Sequence, residues 1–260
     1  MSVSFDPVLA GLLGAAFLAG GIDAIVGGGG LIQLPALFSA LPSTPPATLL
    51  GTSKLAGFAG TASATWRYAH AVRIPWRRLA PIAGIAFIGA LAGAVAVTHV
   101  AAAAFRPLVP VLLTIVLLYT LTQRDLGATH APRSLDRRGA ATGAALVASI
   151  AFYDGFFGPG TGSFLMLLFI RHYGFDFLNA AAAARVLNAA TNVAALAWFG
   201  SRGHVLWPTG LAMAAANVAG AQVGTRLALT RGTRFVRLVF IGVVATLIAR
   251  TAWVALTGPR

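Results

Sequence analysis

Cysteine and glutamate are absent from the chain, and lysine occurs once. Without cysteine there are no disulfides, no thiol catalysis and no thiolate metal sites. Charge of either sign is scarce, at 10% of the 260 residues, where a soluble domain carries about 25%. The motifs of hydrolytic and nucleotide-driven enzymes are also missing. There is no G-x-S-x-G and no ATP-binding loop, and His70, His99, His130, His172 and His204 fall in or near loops without metal-ligand spacing. These absences predict a protein that is not an enzyme and holds no cofactor or metal. Its energy would come from ion or substrate gradients, or from a separate subunit. A basic leader is lacking too. Asp6 precedes the first apolar run, so residues 8–26 read as part of the fold rather than a signal peptide.

What fills the chain instead is apolar: 58% hydrophobic residues and a mean hydropathy of +0.82. That composition belongs to an integral membrane protein. Long apolar runs, rather than ten-residue alternating segments, argue for helices and against a β-barrel. The formal charge of +13 raises nucleic acid as a partner. The arginines, however, sit in short connections between apolar runs, where they orient a protein in the bilayer. The expected partner is therefore the lipid bilayer, with no nucleic acid. Apolar helices are predicted over 8–26, 30–41, 46–69, 79–99 and 105–122, then 139–157, 162–172, 176–200, 208–230 and 235–256.

These are two sets of five, and the chain repeats. Asp23 and Asp154 stand 131 positions apart (154 − 23), and the same offset superposes Gly27 on Gly158, Gly29 on Gly160, Lys54 on Arg185, Trp76 on Trp207 and Arg106 on Arg237. It also superposes the G-x-x-x-G pair Gly89 and Gly93 on Gly220 and Gly224, spaced for close helix packing. Charge then relates the halves. The 70–78 connection carries Arg73, Arg77 and Arg78, and its counterpart near 200–207 only Arg202. The 99–106 connection has only Arg106, and its counterpart near 226–237 has Arg226, Arg231, Arg234 and Arg237. A bias that swaps between halves marks inverted repeats. The predicted fold is an all-α integral membrane protein of two inverted repeats, each a glycine-broken helical hairpin plus three transmembrane helices. The first repeat covers 1–126, a cytoplasmic linker 127–138, and the second repeat 139–260. Both termini are then periplasmic. The 30–41 arm, at roughly 18 Å, is too short for a ~30 Å core, which favours a hairpin or broken helix.

The repeated turns are where a site is expected. Gly27 to Gly30 follow Asp23 directly, and Gly158-Pro159-Gly160-Thr161-Gly162 follow Asp154. A helix restarting after such a turn presents unpaired N–H groups and a positive dipole end, and glycine allows an anion to approach the backbone. Gly28, Gly29, Gly30, Gly160 and Gly162 are candidate binding positions, with Gln33, Thr161 and Ser163 adding side-chain bonds. Lys54 and Arg185, at symmetric places within apolar helices, are costly to insert. Arg185, Asn188 and Asn192 share one helical face, and Lys54, Gly57 and Thr61 form the matching one, with Ser53 a further candidate beside Lys54. Cations beside N–H and O–H donors suit an oxyanion. They also suit plain ion pairs of Lys54 or Arg185 with Asp23 or Asp154. Those two aspartates have three readings: ties for the glycine turns, counter-charges for the cations, or proton-coupling groups.

Asp23 to Pro35, Leu49 to Lys54 and Asp154 to Gly162 together resemble the sulfite exporter TauE/SafE family, and the resemblance covers nearly the whole chain. It implies a permease of the bacterial inner membrane whose substrates are sulfite, organosulfonates such as sulfoacetate, or other sulfur-containing anions. The second turn departs from the first by carrying Pro159 and Thr161 where the first has glycines. The expectation is a secondary transporter of a small sulfur-containing anion working by alternating access, with a homodimer as its assembly. The alternatives are an anion channel and a non-transport assembly or sensor component.

Overall fold

The structure is a computed structural model that describes residues 7–100, 131–133 and 135–257, with side chains described as far as 239 except at 233 and 237. The expected segment 105–122, Arg106, and residues 127–130 and 134 of the linker lie outside these residues. Eight helices are described: α1 (Pro7–Val26), α2 (Gly30–Ala40), α3 (Pro46–Ala71), α4 (Trp76–Thr98), α5 (Arg137–Phe156), α6 (Thr161–Arg171), α7 (Phe177–Ser201) and α8 (Trp207–Thr257). No strand occurs among the described residues. Three of the helices, α1, α4 and α7, are long and apolar enough to cross a membrane.

The helix boundaries have local causes. Asp136 and Asp176 cap α5 and α7, accepting from Gly139 N at 2.8 Å and Asn179 N at 2.7 Å, which satisfies donors that a helix start leaves open. Pro46 occupies the first position of α3, where its missing N–H is harmless. The sequence reading began the fourth helix at 79, but it starts at Trp76, so Arg77 and Arg78 lie in its first turn rather than in a loop. The two expected segments 208–230 and 235–256 form one element, α8, broken at Gly232 (φ 69°, ψ −166°).

Each short helix folds back along the helix before it. Leu37 near the end of α2 shares a core cluster with Leu12 and Ala16 from the first half of α1. His172, capping the end of α6, contacts the Gly139 carbonyl at the start of α5 at 2.9 Å. At 11 residues each, α2 and α6 are roughly 16 Å long.

Longer helices then exchange partners: α1 and α3 pack on α8, and α5 and α7 pack on α4. Glycines make these seams. A Cβ at Gly89 or Gly93 would run into the α5 backbone at Ala148 or Phe152, and one at Gly220 or Gly224 would run into α1 at Phe17 or Gly21. Both G-x-x-x-G pairs are therefore close-packing faces. At the centre α3 and α7 run antiparallel. The α7–α8 connection meets the start of α3, with His204 Nδ1 3.4 Å from Thr48 Oγ1 and Leu206 N donating to Thr52 Oγ1 at 3.0 Å. The connection before α7 meets the other end, where Phe175 and Asn179 share a cavity with Val72 and Arg73.

Candidate functional site

The two broken hairpins meet turn against turn. Gly27 (φ 83°) faces Gly162 so closely that a Cβ on either would overlap the other's backbone. Ser163 N donates to Gly27 O at 3.2 Å, and Ser163 Oγ to Val26 O at 2.8 Å. The second turn needs two left-handed glycines, Gly158 (φ 100°) and Gly160 (φ 84°), a conformation open to glycine at little cost. Gly29 is different. Its backbone has ordinary right-handed dihedrals, but a Cβ there would lie 2.6 Å from Ala19 O and 2.7 Å from Asp23 Cβ.

A cavity of about 50 Å³ opens where the turns meet. That is room for roughly three to five waters at about 10–15 Å³ each. The residues brought together there include Asp23, Gly29, Gly30, Gln33, Ser53, Lys54, Thr61, Asp154, Gly160, Gly162, Asn188 and Asn192. All were expected from sequence. Gly28, Thr161, Ser163 and Arg185 do not line it. Thr161 Oγ1 donates to Gly158 O at 2.7 Å, so this hydroxyl and that of Ser163 hold the turns together instead.

Most helix-start donors are already engaged by the turns. Leu31 N bonds Gly28 O, Ile32 N bonds Gly29 O, and Thr161 N bonds Gly158 O. Among the described residues the N–H groups of Gly30, Gly158, Gly160 and Gly162 have no hydrogen-bond partner, one from the first turn and three from the second, and all four glycines line the cavity.

The charged groups are buried and unequal. Lys54 Nζ lies 2.8 Å from Asp154 Oδ2. The contact is an ion pair by distance, and its angles fall outside those of a hydrogen bond. The pair joins the two halves and rests on Gly158, whose added Cβ would sit 2.9 Å from Lys54 Nζ. Asp23 takes no cation among the described residues. Its Oδ1 accepts from Gly29 N and its Oδ2 from Thr61 Oγ1, both at 3.3 Å, so it ties the first glycine turn to α3. Arg185 is fully buried, and none of its guanidinium nitrogens has a hydrogen-bond partner among the described residues. It sits behind Gly162, with Nη1 3.1 Å from where a Cβ would be.

A residue that sequence reasoning missed completes the lining. Asn217 Nδ2 donates to Gln33 Oε1 at 2.9 Å, and Gln33 Nε2 donates to Ser53 O and Ser53 Oγ, each at 2.9 Å. This chain of amides fixes α2 against α3 and α8. Its signal was present: Asn217 is the one amide side chain in the apolar run 205–221, and a buried amide requires partners. The finished site is a small, partly open pocket of N–H and O–H donors around one ion pair, built from both halves of the chain.

The family model for sulfite exporter TauE/SafE matches residues 12–251. The chain belongs to this family. It is similar to the probable membrane transporter protein ORF9 of Sinorhizobium, 39% identical over 247 residues that cover 94% of this chain and 92% of the relative. It is also similar to the probable membrane transporter protein YfcA of Escherichia coli, at 37% over 248 residues (94% and 90%), and to a probable membrane transporter protein of Haemophilus influenzae, at 35% over 237 residues (91% of each). No solved structure matches. Together with the apolar helices, these matches make the chain a membrane-embedded transporter of the TauE/SafE type.

Proposed function

We propose that this TauE/SafE protein carries a small sulfur-containing oxyanion, of the size of sulfite or a short organosulfonate, through the cavity between its glycine turns. The observation that carries the reading is the cavity itself. It lies where the two broken hairpins touch, and it combines the Lys54 ammonium, four unpartnered backbone N–H groups and the amides of Asn188, Asn192 and Asn217. Charge-assisted and backbone N–H donors are what an oxyanion accepts from. The volume fits a compact anion rather than a long-chain sulfonate.

The transport cycle proposed is alternating access, with the two halves as inverted repeats that rock about the cavity. Three features support this. Helix starts recur at the sequence offset, with Gly30 and Thr161, Pro46 and Phe177, and Trp76 and Trp207 in matching places. The exchanged packing of α1 with α8 and α5 with α4 has the form that two related halves produce. The antiparallel course of α3 and α7 is the relation that inversion requires of corresponding helices.

The test is a panel of sulfite, sulfoacetate, taurine, thiosulfate and sulfate, scored by thermal stabilisation of purified protein and by flux into proteoliposomes. At 100 times its dissociation constant a substrate stabilises by about 2.7 kcal/mol, a shift in melting temperature that is easily read. Stabilisation by at least one of these anions, with accumulation against its gradient, is the expected result. Flux that only ever runs downhill would make the protein a channel, and no response to any anion would sink the assignment.

A further inference from the structure

The charges around the cavity already sum to zero. Asp23 on α1, Lys54 on α3 and Asp154 on α5 line it, and Arg185 on α7 lies buried behind Gly162. The lining contributed by α2, α6 and α8 is uncharged: Gln33, backbone glycine and Asn217. The charged residues of α4, which packs on α5, are Arg77 and Arg78, in its exposed first turn. The two phenols nearby are engaged as donors, Tyr68 to Ala24 O at 3.0 Å and Tyr153 to Pro159 O at 2.7 Å.

An anion entering this neutral site, among the buried Lys54, Asp154, Asn188 and Asn192 side chains, adds an unbalanced negative charge largely away from water, which is disfavoured. It also competes for Lys54, whose ammonium is held by Asp154. A single event removes both obstacles. A hydronium proton taken up from the bulk solution onto Asp154 Oδ2, leaving neutral water behind, turns the carboxylate into a neutral acid, restores neutrality, and frees the Lys54 ammonium to bond the anion. Intramembrane carboxylates of this kind serve as proton carriers.

Building on the anion reading above, we propose that the site takes up protons together with its anion. Asp154 receives the proton that accompanies a monoanion, and Asp23 receives the second proton that accompanies a dianion. The order follows from the contacts. Protonating Asp154 releases a cation to the ligand, whereas Asp23 has no cation to release and is tied to Gly29 and Thr61. The transport step is thereby electroneutral, and the proton gradient drives it.

The experiment is titration calorimetry of the purified full chain, repeated in buffers of different ionisation enthalpy between pH 6 and 8. The probes are methanesulfonate, a monoanion, and thiosulfate, a dianion, because neither changes its own protonation in that range. The native protein should take up about one proton with methanesulfonate and about two with thiosulfate. Since binding consumes protons, affinity for methanesulfonate falls by up to about tenfold per pH unit as pH rises. In Asp154→Asn the methanesulfonate uptake should vanish and its binding should lose pH dependence. In Asp23→Asn only the second proton taken with thiosulfate should disappear. Melting temperatures of both variants, and of Lys54→Gln with Asp154→Asn, verify folding.

Binding without proton uptake in the native protein overturns the inference and leaves the anion site standing. So does undiminished uptake in a folded Asp154→Asn protein. Failure of both probes and of the whole sulfur-anion panel overturns the anion site, and this inference with it.

Discussion

At the scale of single residues, the deciding asymmetry is between two cations in matching places. Lys54 has a carboxylate at 2.8 Å, and Arg185 has none among the described residues. Sequence alone located both cations and both aspartates, because a charge inside an apolar run is conspicuous. It left every pairing open. The choice depends on the contacts of Asp23, which the Gly29 amide engages from the turn before α2 and the Thr61 hydroxyl from α3. No spacing in the sequence displays a three-body arrangement of that kind. The consequence is measurable. Lys54→Gln strands Asp154, and removing one partner of a buried pair costs about 3–5 kcal/mol. Lys54→Gln combined with Asp154→Asn should recover most of that loss in a melting or denaturant series. If the cation serves the ligand, binding of the sulfur anion stays weak in the restored double variant, by about tenfold to a hundredfold for a lost charge-assisted bond. Full recovery of binding along with stability would limit Lys54 to neutralising Asp154.

At the scale of elements, the glycine turns were the most legible feature of the chain, since four consecutive glycines make poor helix. The breaks fall where the glycines are, at 27–29 and 157–160. What the sequence could not separate is why each glycine is needed. Gly160 holds a left-handed conformation, whereas Gly29, in the turn just before α2, has ordinary right-handed dihedrals and is pressed against Ala19 and Asp23. The two substitutions should therefore differ. Gly160→Ala opposes the backbone conformation. Gly29→Ala forces α1 and α2 apart and pulls the Gly29 amide from Asp23. Both should abolish sulfur-anion flux while the protein still reaches the membrane. Asp176→Ala is the comparison for a fault away from the turns. It removes a helix cap worth about 1 kcal/mol, and it should lower the melting temperature while leaving Kd for the anion within twofold. Native flux in either glycine variant would show that the turns are packing devices alone.

At the scale of the whole molecule, the swap in arginine bias raised the expectation of inversion, and the helix starts at Gly30, Pro46 and Trp76 recur at the offset of 131. The exchange of packing partners was not legible. It depends on which glycine faces meet, and a G-x-x-x-G pair names a contact without naming its partner. The sidedness of the molecule gives the most direct test of its plan. The α3–α4 connection at Arg73 and its counterpart near Ser201 are both exposed. They sit at opposite ends of α3, a 26-residue helix of about 39 Å, which exceeds the ~30 Å hydrocarbon core. The native chain has no cysteine, so a single introduced thiol is an unambiguous reporter. Arg73→Cys should react with a membrane-impermeant maleimide only from the cytoplasmic face, where arginine-rich connections reside. Ser201→Cys should react only from the periplasmic face. Reaction of both from one face would mean that α3 does not cross the membrane. The halves would then share one orientation, and the cavity between the turns would have no two sides to serve.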